Sequence, residues 1–305
     1  MQPLRGIAFK LSSIIVFVAM ATIIKATSDN VPPGEAVFFR SFFALPVILV
    51  WLAAAGELGS GLSTRMPLGH VWRGVIGTTG MGLNFAALGL LPFPDATAIG
   101  YAAPILTVIF AAMFLGEQVR AFRLTAVALG LIGVVIVLSP RLTLGEDEMT
   151  LRETLGAVLA LGAAVLAALA QVQVRRLVYT GETTSAIVFW FSVSASLLSL
   201  TTIPWGWAMP DPATFALLVL AGLLGGLGQI LLTSSYRHAD VGVIAPFDYT
   251  SMLMALAVGY FLFDEVPTLV MIGGSLIIIG SGVMIIWRER RLGIERKQTK
   301  SVGPP

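Results

Sequence analysis

The residues with the most chemistry to offer lie inside apolar sequence. Asp248 sits in Ala245-Pro246-Phe247-Asp248-Tyr249, at the head of an apolar run that lasts to Phe263. With a helix starting near Asp240, it lies about 12 Å deep at a rise of ~1.5 Å per residue. A charge near a bilayer centre is costly unless it meets a cavity or a partner. Such a carboxylate can bind a substrate ammonium, carry a proton, or bond to a neighbouring helix. Pro246, two residues earlier, frees backbone groups that a protonated carboxyl can help satisfy. Arg40 lies about 7 Å in from the opposite side by the same rise. It can attract a carboxylate or, being shallow, snorkel. Lys10 reads as a snorkelling anchor near the surface, and Lys25 and Glu35 as water-exposed flanks of a loop.

Neutral polar groups add hydrogen bonding. Asn84, Tyr101, Gln171, Gln229 and Tyr249 fall within separate apolar runs, where each can bond a neighbouring helix or line a cavity. Small residues let helix backbones approach closely. Gly80 and Gly82 in one run, and Gly222 and Gly226 in another, are expected at such contacts. Trp51, Trp72, Trp205, Trp207 and Trp287 stand near run ends, as in interfacial belts, while Trp190 reads as lipid-facing.

Several chemistries are excluded. None of the four Lys follows a Gly, so no GxxxxGK phosphate loop exists and no ATPase machinery is implied. Neither HExxH nor GxSxG occurs, and with two His and no Cys a multi-ligand metal site cannot be assembled. No cofactor, metal or nucleic-acid partner is expected, and the expected partners are a small-molecule substrate and the lipid bilayer. What remains is gradient-driven transport.

The elements that must position these residues follow from composition. Of 305 residues 56% are hydrophobic and 12% are charged, and mean hydropathy is +0.89. Soluble domains carry about 25% charge, so this chain is an all-α integral membrane protein. Charge-free runs at 11–24, 41–56, 74–94, 96–116, 124–140, 154–174, 183–210, 212–236, 249–263 and 266–287 make ten expected spans. The run at 11–24 resembles a signal-peptide core, but Ile23 and Ile24 continue it and it is expected to be retained. Fifteen of the nineteen Lys and Arg, Arg73 among them, fall to the N-terminus, the even loops and the tail, which puts both termini in the cytoplasm.

The two halves align at an offset of about 145–148 residues. Gly80-Met81-Gly82 meets Gly226-Leu227-Gly228, Asp95 meets Asp240, and Leu115-Gly116-Glu117 meets Phe263-Asp264-Glu265. Asp95 is placed to cap the fourth span. Five spans per copy make the repeats inverted, with a substrate site near the midplane between them. The expected organisation is a first five-helix repeat over 1–140, a short external connection at 141–153, a second, inverted repeat over 154–287, and a basic cytoplasmic tail at 288–305.

Ten spans in two copies, Arg40 early in the second span, Pro104 with Phe114-Leu115-Gly116-Glu117, and Ala245 to Tyr249 running on to Phe263-Asp264-Glu265 resemble the drug/metabolite transporter superfamily, specifically its EamA-type exporters. Asp264 stands where that family usually has Gly. The resemblance implies a ten-helix secondary transporter of the plasma membrane, in bacteria the inner membrane. It works by alternating access, with a cavity formed by spans 3, 4, 6, 8 and 9. The YddG-type branch exports amino acids, and a mostly apolar wall with few polar groups suits such a solute. Export of lipophilic drugs is the alternative, and a membrane-embedded enzyme is a third reading that lacks a catalytic constellation.

Overall fold

The computed structural model describes residues 3–115, 121–138, 148–207, 209–238, 247–248 and 250–301. Tyr249, Ala245-Pro246, Gly116-Glu117 and residues 141–147 lie outside the described residues, as do the side chains of the basic tail from Arg288.

The described elements are helices. The first half holds α1 (Pro3–Thr27), α2 (Pro33–Phe42), α3 (Ala44–Ala54), the short α4 (Leu58–Leu62), α5 (Pro67–Leu90), α6 (Phe93–Gly100), α7 (Ala102–Leu115) and α8 (Ala121–Leu138). The second holds α9 (Glu148–Tyr179), α10 (Thr184–Ser199) with a 3-10 turn at Leu200–Trp205, α11 (Pro212–His238), α12 (Thr250–Phe263) and α13 (Leu269–Ser301).

Their ends follow from turn chemistry. α2, α5 and α11 each begin on a proline, whose missing N–H would find no partner in the first turn anyway. Asp211 caps α11, accepting from the Ala213 amide at 2.9 Å and the Thr214 amide at 3.2 Å. Two runs expected as single rods are split, α2 from α3 at Phe43 and α6 from α7 at Tyr101. Both breaks lie three residues before a proline, Pro46 and Pro104. Each proline ring crowds the carbonyl four residues earlier and donates no hydrogen bond to it.

Among the described residues six stretches are long and apolar enough to cross a membrane: Leu4–Thr27, Pro33–Ala54, Phe93–Leu115, Leu151–Tyr179, Thr184–Trp205 and Pro212–Ser235. Ala128–Val137, Thr250–Phe263 and Leu269–Met284 are shorter apolar helices. α5 falls outside both groups because it carries His70, Arg73, Thr78, Thr79 and Asn84. The polar helix lies against α9, α10 and α2.

Long pairings hold the bundle: α1 along α11, α9 along α5, and α8 along α13. Glycine permits the tightest of the α2–α11 contacts. A Cβ at Gly222 would stand 2.5 Å from Phe43 Cβ and 2.6 Å from the Phe39 carbonyl. α6 is enclosed, with Phe93, Ala96, Ala98 and Ile99 all buried.

Candidate functional site

A cavity of about 260 Å³ opens between α1, α5, α6 and the start of α12. Phe17, Val18, Leu88, Phe93 and Ala96 give it apolar walls, and Asn84, Thr97, Asp248 and Ser251 supply its polar groups. The Asp248 carboxylate lies 2.6 Å from the Lys10 ammonium. Lys10 is 3% exposed and Asp248 49%, so the pair is buried on the lysine side and open on the carboxylate side. The break at Tyr101 frees that side chain to reach across to α12. Its hydroxyl lies 2.6 Å from Ser251 Oγ and donates to the Asp248 carbonyl at 3.2 Å, while Ser251 Oγ donates to the same carbonyl at 2.7 Å.

The structure therefore brings Asn84, Tyr101 and Asp248 together and sets others apart. Gln171 is exposed on the outer surface of α9, and the buried glutamine of that helix is Gln173, which donates to the Gly69 carbonyl at 3.2 Å. Gln229 is half-buried on α11, its carbonyl accepting from Thr233 Oγ1 at 2.9 Å. Gly80 packs on Leu166 and Gly226 on Ala44 and Val47, but a Cβ at Gly82 would meet nothing within 4 Å. Lys10 does not snorkel, because an acidic partner at its own depth is closer than water.

Arg40 lies away from this cavity. It is 7% exposed, and its guanidinium carbon stands 5.8 Å from the centre of the Phe191 ring on α10. Arg73 lies over the same ring at 4.2 Å. The Arg73 side chain, counted by sequence as a cytoplasmic charge, lies along α5 over Gly77, which has no side chain to stop it. Trp190, on α10, is half-buried, and its indole N–H donates to the Leu62 carbonyl at 3.2 Å.

Both ends of α5 are held by charge. Glu182, in the loop before α10, accepts at its N-terminus from the Arg65 amide at 2.7 Å, the Met66 amide at 3.0 Å and Thr64 Oγ1 at 3.1 Å. His70 Nε2 lies 3.1 Å from its other oxygen. Burial alone would raise the Glu182 carboxyl. The hydrogen bonds from His70, the Arg65 amide and Thr64, with the His70 charge, outweigh burial and hold it below its ordinary 4.5.

At the C-terminus Lys25 donates to the Leu88 carbonyl at 3.1 Å and the Leu91 carbonyl at 2.6 Å. It also pairs with Glu265 at 3.0 Å. Anion at the start and cation at the end both complement the helix dipole. Lys25 and Glu35 are thus not exposed flanks: Lys25 is 12% exposed in its side chain and Glu35 3% overall. Glu265 also accepts from the Phe93 amide at 2.7 Å, while Asp95, expected as the cap, lies buried within the first turn of α6 and Pro92 holds the cap position. Asp264 takes a left-handed backbone, φ +53°, a conformation Asp tolerates better than most residues and Gly best.

The profile of the EamA-like transporter family matches the chain twice, over residues 4–139 and 154–287. The S-adenosylmethionine uptake transporter of Rickettsia conorii is 28% identical over 288 residues, covering 94% of each chain. The pseudopaline exporter CntI of Pseudomonas aeruginosa is 28% identical over 278 residues, covering 90% of this chain and 93% of the exporter. A solved crystal structure, 21% identical, superposes with a TM-score of 0.66 over 94% of this chain and 98% of its own, and so shares the fold. The apolar helices and the bacterial relatives make this a multi-pass protein of a bacterial inner membrane, and by its two profile matches, which together span most of the chain, the chain belongs to the EamA-like transporter family, in the drug/metabolite transporter superfamily.

Proposed function

We propose that the chain is a secondary transporter that exports small zwitterionic metabolites, amino acids first, through the cavity beneath Asp248. Ten spans cross the membrane with both termini in the cytoplasm. The segments 1–140 and 154–287 form two repeats of opposite orientation, joined by the external connection 141–153. The pairing of α1 with α11 and of α9 with α5 supports this reading, because a two-fold relation between the halves exchanges those two contacts. Alternating access then opens the cavity to each side in turn.

The observation that carries the reading is the Lys10–Asp248 pair on the cavity wall. Lys10 shows that an ammonium on a flexible stem fits against this carboxylate. A substrate ammonium entering the cavity takes the same place, and Asn84, Thr97 and Ser251 hold the rest of the solute. Among the relatives, the named S-adenosylmethionine is a methionine derivative, consistent with an amino-acid end. Their names include uptake as well as export, so direction belongs to the gradient rather than to the scaffold.

The test is flux into and out of liposomes holding the purified protein, with radiolabelled amino acids, S-adenosylmethionine and a lipophilic dye in parallel. Saturable flux of zwitterions, and none of dye, is the expected result. Dye flux alone would make the protein a drug exporter.

A further inference from the structure

The bundle contains two arginines that none of its described residues neutralises. Among the described residues neither Arg40 nor Arg73 makes a hydrogen bond or an ion pair, and each is engaged with the Phe191 ring. Arg40 Nε, Arg73 Nε and Arg73 Nη1 are fully buried with no acceptor, and so is the Thr78 hydroxyl. Two like charges on one ring repel each other. A buried lysine can relieve such a position by losing its proton, whereas arginine stays charged. No carboxylate of the described residues pairs with either guanidinium, the buried Glu35 on α2 included.

A way in is present. A cavity of about 410 Å³ lies between α2, α5 and the end of α10. Its walls are mainly apolar, with the hydroxyls of Thr78, Thr79, Ser199, Thr201 and Thr202 among them. Thr78 follows the Gly77 that Arg73 crosses, and Val37 lies one helical turn before Arg40. The cavity thus comes within a helical turn of both arginines along the chain, although neither is part of its wall.

We propose that Arg40 and Arg73, bracketing Phe191, are a binding site for the carboxylate of a small organic acid whose apolar body occupies the 410 Å³ cavity. The guanidinium fork matches a carboxylate through paired N–H donors, and Thr78 adds a third. The site stands apart from the Asp248 cavity and so goes beyond the transport reading, on which it rests only for the route by which an acid enters the bundle. The binding itself is measured without flux.

The experiment is equilibrium dialysis of the full-length protein in detergent against methionine, phenylalanine and 3-phenylpropionate, each beside its amide, with inorganic phosphate as a further probe. The wild-type protein binds at least one acid about tenfold or more tighter than the matching amide, the ratio expected when charge-assisted hydrogen bonds are lost. Arg40→Gln and Arg73→Met bind acid and amide alike, and Arg73→Lys keeps part of the preference. Without ligand, Arg73→Met melts no lower than wild type, because an uncompensated buried charge has been removed. A wild-type protein that binds acid and amide equally, or neither, overturns the proposal. So does an acid preference that survives in both Arg40→Gln and Arg73→Met, or a preference for phosphate over every acid. Flux separates the two ideas. Normal zwitterion flux in the arginine variants, with no acid preference in wild type, removes this site and leaves the transport reading standing. Acid binding without flux of any zwitterion does the reverse.

Discussion

Lys10 and the pair Arg40–Arg73 are buried cations of the same bundle held in opposite ways. Lys10 has Asp248 at 2.6 Å, and the carboxylate in turn faces a cavity. The two arginines have an aromatic ring and no acidic partner among the described residues. A charge in a low-dielectric interior has to be neutralised, and the neutralising group can be supplied by the fold or by a visitor. The difference teaches that an ammonium and a carboxylate are to be sought at separate places in the bundle. An ammonium meets a carboxylate already committed to an internal cation, which it must displace. A carboxylate meets cations that are still waiting.

The largest expected effect is at the compensated pair. Asp248→Asn strands the Lys10 ammonium and should cost about 2–4 kcal/mol, less than for a fully buried pair because Asp248 is half-exposed. Thermal melting checks it, and the double variant Lys10→Met with Asp248→Asn should recover most of the loss. Equal melting of Asp248→Asn and wild type would break the contrast with the arginines.

Glu182→Ala comes next. It removes the acceptor shared by two backbone amides, Thr64 and His70, and should cost about 2–3 kcal/mol. Its pH signature is distinct. Because the folded carboxyl lies below its ordinary 4.5, the stabilisation is fully present above that pH. It is lost as pH falls below it through the folded value. Melting followed downward from neutral pH should therefore show a steeper acid decline in wild type than in Glu182→Gln.

Lys25→Met should cost about 1–2 kcal/mol, since it leaves Glu265 and two carbonyls at the end of α5 without their donor. The smallest effect is at Arg73→Met, where loss of the ring contact is offset by removal of an unneutralised charge. A large destabilisation there would show that the arginines are structural after all.

Much of the fold was legible because membrane helices announce themselves by run length. The boundaries at Pro33, Pro67, Phe93 and Pro212 follow from turn chemistry that sequence displays openly. The breaks at Phe43 and Tyr101 were readable in principle from Pro46 and Pro104, three residues on, but an unbroken apolar run conceals them. Asp264 in the left-handed conformation explains how this chain accommodates Asp where its family favours Gly.

The site was only half legible. Asp248, Tyr101 and Asn84 could be singled out because they are polar in apolar surroundings. Lys10, Lys25 and Arg73 could not, because a basic residue near a helix end has two fates, reaching for water or reaching for a carboxylate. Only the position of Asp248, Glu265 and Phe191 in space decides between them. Gln171 and Gln173 show the same limit, two residues apart on a helix with little amphipathic signal, one exposed and one buried.

The central claim is that Asp248 meets the ammonium of a transported zwitterion in place of Lys10. Zwitterion flux per folded molecule, measured in liposomes for wild type, Lys10→Met and the Lys10→Met, Asp248→Asn double variant, tests it most directly. Lys10→Met should bind and move zwitterions at least as well as wild type, having lost the internal competitor. The double variant should fold and lose most of that flux. Flux equal to wild type in a well-folded double variant would contradict the account.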